Sequence, residues 1–74
     1  MTPAQCRAAR ALLGLPRPEL AKAAVVPANL IADYEAGVWV PRAEDLAAVQ
    51  RALEAAGVEF TNGDEPGVKL RKGK

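Results

Sequence analysis

The chain has 74 residues, half of them hydrophobic, with one cysteine, no histidine and a formal net charge of +1. This composition favours one domain and excludes an internal disulfide or a zinc site built from several Cys and His ligands. No apolar run approaches the roughly 20 residues that cross a bilayer, and the first residues lack the basic start and apolar core of a signal peptide. We therefore expect a cytoplasmic protein with no membrane segment.

Two helices are predicted before residue 25. Thr2 caps the first helix, Gln5 completes a capping box, and Gly14 ends the helix in a left-handed turn. Proline is tolerated in the first turn of a helix but not inside one, so residues 16–18 open a second helix over about residues 17–24. Apolar spacing places these residues on the inner sides of the two helices: Cys6, Ala9, Leu12, Leu13, Leu20, Ala21 and Ala24.

A corner and two further helices follow. Residues 25–27 form the corner, and a third helix continues from Pro27 to about Glu35, with Gly37 closing it. The fourth helix runs from residue 42 or 43 to Ala56. The inner positions predicted for this part of the chain are Val26, Ile31, Tyr34, Leu46, Val49, Leu53 and Ala56.

After Gly57 the apolar pattern changes from a helical period to alternation. Val58–Thr61 and Val68–Arg71 alternate as half-buried strands do, and residues 62–67 are dense in turn formers. We predict a β-hairpin over residues 58–71, within the same domain as the helices, and a disordered tail over residues 72–74. An isolated hairpin is marginal in water. We therefore expect it to pack on the helices or to pair with the same segment of a second chain, giving a homodimer.

Particular residue types occur at characteristic spacings through the second and third helices and the link that follows. These residues are Glu19, Leu20, Ala21, Val26, Ile31, Glu35, Gly37 and Pro41. This pattern, over about residues 3–60, resembles the helix-turn-helix of the XRE family of phage-repressor-like, Cro-type DNA-binding proteins. The resemblance implies a mainly α-helical, repressor-like bundle of four or five helices, with a helix-turn-helix domain over residues 1–57. It also implies a homodimer that binds double-stranded DNA and regulates transcription.

In that family the second helix crosses the DNA backbone and the third enters the major groove. By position, the resemblance implies DNA contacts from Arg17, Ala28, Asn29, Leu30, Asp33 and Arg42. Asn29 suits an adenine, Leu30 suits a thymine methyl group, and the two arginines suit phosphates. An ordinary solvent-exposed role is the competing interpretation for Arg17, Asn29 and Arg42, and a solubilising role competes for the basic end from Lys69 onward.

The chain differs from the family pattern at the corner and on the reading face. Val25 stands where glycine is usual, so either the corner takes another geometry or Val25 is strained in a left-handed conformation. The front of the third helix, residues 27–30, offers one polar side chain. These differences leave an alternative open: a protein-interaction module, antiactivator or antitoxin-like, that has lost base readout. The apolar residues that suit such an interface are Leu30, Trp39, Phe60, Val68 and Leu70.

An enzyme is the least favoured class. The chain has no histidine, no nucleophile and base at a recognisable spacing, and no glycine-rich phosphate-binding loop. We therefore expect no catalytic residue, no metal and no cofactor.

Overall fold

The protein is mainly helical, with a two-stranded antiparallel hairpin after the last helix. The computed structural model describes residues 1–61 and 67–71, and these contain four helices: α1 (Pro3–Leu13), α2 (Arg17–Ala24), α3 (Ala28–Ala36) and α4 (Ala43–Ala56). The strands are β1 (Val58–Thr61) and β2 (Gly67–Leu70). The predicted fold class is therefore confirmed. The predicted tail, residues 72–74, and most of the hairpin loop lie outside the described residues.

The helix boundaries follow local sequence signals. Thr2 Oγ1 accepts a hydrogen bond from the backbone N–H of Gln5 at 3.1 Å, and Gln5 Oε1 accepts one from the backbone N–H of Thr2 at 2.9 Å. This is the predicted capping box. Gly37 has a φ of 77°, the left-handed turn that closes α3. β2 begins one residue earlier than predicted, because the ladder extends to a pair between Thr61 and Gly67.

The core lies between the inner sides of the four helices and the inner face of the hairpin. Its buried apolar residues are Cys6, Ala9, Leu20, Ala21, Ala24, Leu30, Ile31, Tyr34, Val49, Leu53 and Val58. Two predicted core positions are exposed instead, and both predictions were wrong. Leu12 lies about 100° around α1 from Leu13, away from the side that packs. Ala56 is the last residue of α4 and lies beyond its packed stripe.

The hairpin is attached to α1 by one side chain. Gln5 Nε2 donates to the backbone carbonyls of Thr61 at 3.2 Å and Gly67 at 2.9 Å. Strand alternation directs one set of side chains toward the helices, namely Val58, Phe60, Val68 and Leu70. Phe60 and Val68 pack, partly buried, against the core. Packing on the helices is thus one of the two predicted arrangements of the hairpin; pairing with a second chain stays a prediction.

Candidate nucleic-acid interface

The inner side of α3 is held by a buried ionic cluster around Glu35. Arg10 donates to both carboxylate oxygens, from Nε to Oε2 at 2.6 Å and from Nη2 to Oε1 at 2.7 Å. Cys6 Sγ donates to Oε2 at 3.2 Å, and the Arg7 guanidinium donates to the backbone carbonyl of Glu35. Arg10 also donates to the carbonyl of Leu15 at 3.2 Å. One arginine therefore joins α1, α3 and the link that leads into α2.

The cluster determines the charge state of its members. Burial alone would raise the pKa of Glu35, but hydrogen bonds from Arg10 and Cys6, with the attraction of Arg10 and Arg17, hold that pKa below its usual range. Burial and the contact with Glu35 raise the pKa of Cys6 to about 12. Near neutral pH, Glu35 is therefore a carboxylate and Cys6 is a neutral thiol that donates to it.

The apolar pattern of the sequence does not predict the pair between Arg10 and Glu35. The available signal is Glu35 itself, which lies one helical turn after Ile31 and next to Tyr34, on the inner side of α3. A carboxylate on a buried face needs a cationic partner. The arginines of α1 are the nearest such cations in the folded chain.

The outer side of α3 is open at its first turn. Ala28 and Asn29 are exposed there, and Asp33 is half-buried one turn later. Asn29 and Asp33 are four residues apart and share one face of the helix. α3 packs on α1 and α2, whereas the hairpin packs on α1 and α4. The polar groups of this face are therefore available to a binding partner.

Leu30 does not belong to this outer side. Its side chain is only 8% exposed and lies in the core with Ile31 and Tyr34. The burial of Leu30 argues against its predicted contacts with a thymine methyl group or a protein partner, because each residue turns the helix by about 100° and carries Leu30 inward from the face of Asn29.

The corner between α2 and α3 is strained at Val25. This residue has φ 60° and ψ 50°, and within residues 1–61 and 67–71 it is the one non-glycine residue with a positive φ. Its side chain is 88% exposed, so packing does not offset the strain. Val26 donates its N–H to the carbonyl of Ala21 at 3.0 Å and packs against the core. The sharp corner is thus retained, and the strained alternative for Val25 is the correct one.

The two arginines predicted to contact phosphates are exposed at the starts of helices. Arg17 is the first residue of α2, and Arg42 is the N-cap of α4. Arg42 Nε lies 3.8 Å from Asp45 Oδ2, and such an exposed pair contributes little stability. α3 contains no cationic residue. Any positive charge beside its outer face must therefore come from neighbouring elements.

Apolar side chains are exposed at both ends of α3. Val25 precedes it, and Val38, Trp39 and Val40 form the link to α4, with Trp39 50% exposed. Among the residues predicted for a protein interface, Trp39 and Leu70 are largely exposed, whereas Phe60 and Val68 are partly buried against the chain's own core.

No protein-family model matches the chain, and no curated protein matches it. Within the described part of the chain, none of the helices combines the length and apolar character needed to cross a membrane. The same residues hold no group of three Cys, Asp or Glu placed to bind a metal ion.

Proposed function

We propose that this protein is a sequence-specific DNA-binding transcriptional regulator, similar to the XRE family, that acts as a cytoplasmic homodimer. One observation carries the proposal: α3 is fixed on its inner side by ionic and apolar contacts, while the outer side of its first turn is open. A helix presented in this way, after a second helix and a sharp corner, fits the major groove with its N-terminal residues toward the bases.

The side chains on the outer side of α3 suit particular bases. The amide of Asn29 matches the N6 and N7 pair of adenine, and the carboxylate of Asp33 matches the N4 amino group of cytosine. Ala28 is small and apolar, which suits a thymine methyl group. Guanine is read most often by Arg or Lys, and α3 has neither. Guanine is therefore not among the bases that α3 is proposed to specify.

Phosphate contacts would come from outside α3. Arg17 and Arg42 are exposed and stand at the starts of α2 and α4. Each phosphate neutralised by a cation steepens the logarithmic salt dependence of duplex binding by about 0.9. With two such arginines in each of two copies, the expected slope is roughly −3 to −4.

Selection from a random duplex library, followed by affinity measurements on the recovered sites at two salt concentrations, tests the proposal. We expect a pseudo-palindromic consensus that specifies an adenine in each half-site, opposite Asn29. No binding at low salt would remove the DNA-binding function. Binding without sequence preference would leave only an electrostatic interaction with the phosphates.

The homodimer has a separate test, the mass of the protein in solution with and without its selected duplex. A palindromic site requires two copies, so we expect twice the 7.8 kDa mass of one chain on DNA. A single copy per full site would contradict the dimer while leaving base reading intact.

A second candidate function, a protein-interaction module, is favoured by the exposed link after α3. Val38, Trp39 and Val40 form a run of exposed apolar side chains, and tryptophan is a frequent interface anchor. Trp39 is the one tryptophan in the chain, so its fluorescence reports on this surface directly. A purified protein partner that shifts Trp39 emission to the blue, with no effect of selected DNA, would favour this second function.

A further inference from the structure

The two strands of the hairpin differ in how exposed their residues are. β1 begins at the fully buried Val58, which lies in the core. β2 becomes more exposed along its length, and Leu70, on the inner face, is still 52% exposed. In the described residues the sheet has two strands, so each has one unpaired edge. The residues of β2 are therefore more exposed overall than those of β1.

The backbone of β2 presents hydrogen-bonding groups at this edge. The N–H of Arg71 donates to the carbonyl of Gly57 at 2.7 Å, and the register pairs Lys69 with Glu59. In an antiparallel ladder, residue pairs joined by backbone hydrogen bonds alternate with residue pairs that are not joined. The N–H and C=O groups of Val68 and Leu70 therefore point away from β1. Across residues 1–61 and 67–71, no hydrogen bond from another element reaches them.

The side chains beside this edge are basic on the outer face. Lys69 and Arg71 project to the same side by strand alternation, and both are exposed. Lys69 Nζ lies 3.5 Å from Glu59 Oε1 of β1. An open groove of about 350 Å³ is lined by Glu59, Lys69, Leu70 and Arg71. The edge of β2 thus combines unpaired backbone groups with positive charge on the outer face and the half-exposed Leu70 on the inner face.

We propose that the edge of β2 binds an extended acidic peptide segment of a partner protein, which adds as a third, antiparallel strand. Strand addition of this kind takes affinity from main-chain hydrogen bonds and specificity from alternate side chains. Carboxylates of the peptide would stand opposite Lys69 and Arg71, in the non-bonded pairs where side chains approach most closely. An apolar side chain would cover the exposed part of Leu70.

The charge pattern favours this occupant. Glu59, Lys69 and a peptide carboxylate would form a ladder of alternating charge across three strands, and opposite charges across a sheet stabilise it. The inference uses the hairpin alone and does not depend on DNA binding by α3.

A second copy of the chain fits this edge poorly. When Val68 pairs with the Leu70 of another copy, Lys69 faces a second Lys69; when Leu70 pairs with itself, Lys69 faces Arg71. Like charges directly opposite destabilise a sheet. In the remaining register Val68 pairs with itself, and among the residues that the structure describes this register pairs only 67–69. The contact of the proposed homodimer is therefore expected on another surface.

Amide chemical shifts and hydrogen exchange of the full chain test the proposal with a synthetic probe, a capped peptide of alternating glutamate and valine. We expect the amides of Val68 and Leu70 to become protected as the peptide saturates, and the binding to weaken with salt. The double variant K69Q/R71Q, with its fold checked by the unchanged amide shifts of the helices, should bind this peptide about tenfold more weakly. A matched peptide of alternating lysine and valine is the charge control.

Three outcomes would overturn the proposal. The first is equal protection by the lysine peptide. The second is protection of Val68 and Leu70 that rises with protein concentration in the absence of peptide, which would assign the edge to a second copy. The third is protection by duplex DNA but not by the glutamate peptide, which would assign Lys69 and Arg71 to phosphates. None of these outcomes bears on base reading by Asn29.

Discussion

The inner and outer sides of α3 differ in the contacts that their side chains make with the rest of the chain. The inner side buries Leu30, Ile31 and Tyr34, and Glu35 receives hydrogen bonds from three residues of α1 on its side chain and its carbonyl. The outer side carries Asn29 and Asp33, for which no hydrogen bond from another side chain is seen in the described part of the chain. The first set therefore orients the helix, whereas the second remains accessible on its surface.

The same contrast separates stability from binding. Changes on the inner side should lower the free energy of unfolding and affect binding only through loss of fold. Changes on the outer side should alter binding and leave the free energy of unfolding nearly unchanged. The corner at Val25 belongs to neither set, since its strain lowers stability and its side chain is largely exposed.

The largest expected effect is that of Glu35→Gln. It leaves Arg10 partly buried beside a neutral amide, so the free energy of unfolding should fall by about 3 kcal/mol. For a domain of this size the melting temperature should fall by at least about 10 °C. Chemical and thermal unfolding followed by circular dichroism measure both quantities.

The matched control for that change is Glu19→Gln, which also removes a carboxylate but from the exposed first turn of α2. Its effect should stay below about 1 kcal/mol, the scale of a helix-dipole interaction. Equal losses for the two variants would contradict a special role for the buried pair.

The second expected effect is the pH dependence of the stability that the pair between Arg10 and Glu35 contributes. The pKa of Glu35 is lower in the folded protein than its ordinary value of 4.5. Its contribution to stability is therefore complete above that value and is lost as the pH falls through the folded-state pKa. Unfolding curves of wild type and Glu35→Gln should converge on acidification, and parallel curves from neutral to acid pH would disprove the linkage.

The third effect concerns the outer side. Asn29→Ala should weaken binding to the selected duplex by about 1–3 kcal/mol and relax the preference for adenine at one position. The free energy of unfolding should change by no more than about 0.5 kcal/mol. Gln50→Ala removes a similar amide from α4, and we expect it to leave affinity intact. Competition binding with single-base variants of the site distinguishes the Asn29→Ala protein from the Gln50→Ala protein.

The smallest effect is at the corner. Val25→Gly removes the left-handed strain of a β-branched residue and should raise the free energy of unfolding by about 1 kcal/mol, after allowance for the greater freedom of glycine in the unfolded chain. Val40→Gly is the control, because Val40 is also an exposed valine but has no positive φ. The free energy of unfolding of the Val40→Gly variant should fall slightly. Effects of the same sign at both positions would contradict the strain at Val25.

Local signals were sufficient to predict the elements of the fold. The Thr2 and Gln5 capping box, the glycines after α1, α3 and α4, and the alternation after Gly57 each act over a few residues, and all are present in the structure. The Val25 corner was predicted only as one of two alternatives, because its conformation depends on the balance between local strain and the packing of α2 against α3.

The site was less predictable because it depends on helix rotation. The sequence places Leu30 beside Asn29, and only the packed orientation of α3 shows that Leu30 is inside. The partner of Glu35 lies 25 residues away on α1, beyond the reach of periodicity. The exposed positions of Arg17, Asn29 and Arg42 agree with their predicted placement, and their binding to DNA stays a prediction.

The bridge from Gln5 to the hairpin has a consequence for the order in which the chain acquires its structure. Gln5 and Gly67 are 62 positions apart, so on the ribosome α1 emerges long before the carbonyl that this glutamine will bind. Until then Gln5 Oε1 can accept the N–H of Thr2 in the capping box, but Gln5 Nε2 has neither of its hairpin partners. We therefore expect the hairpin to dock on α1 late in biosynthesis. The start of α1 and the two strands should then become ordered together.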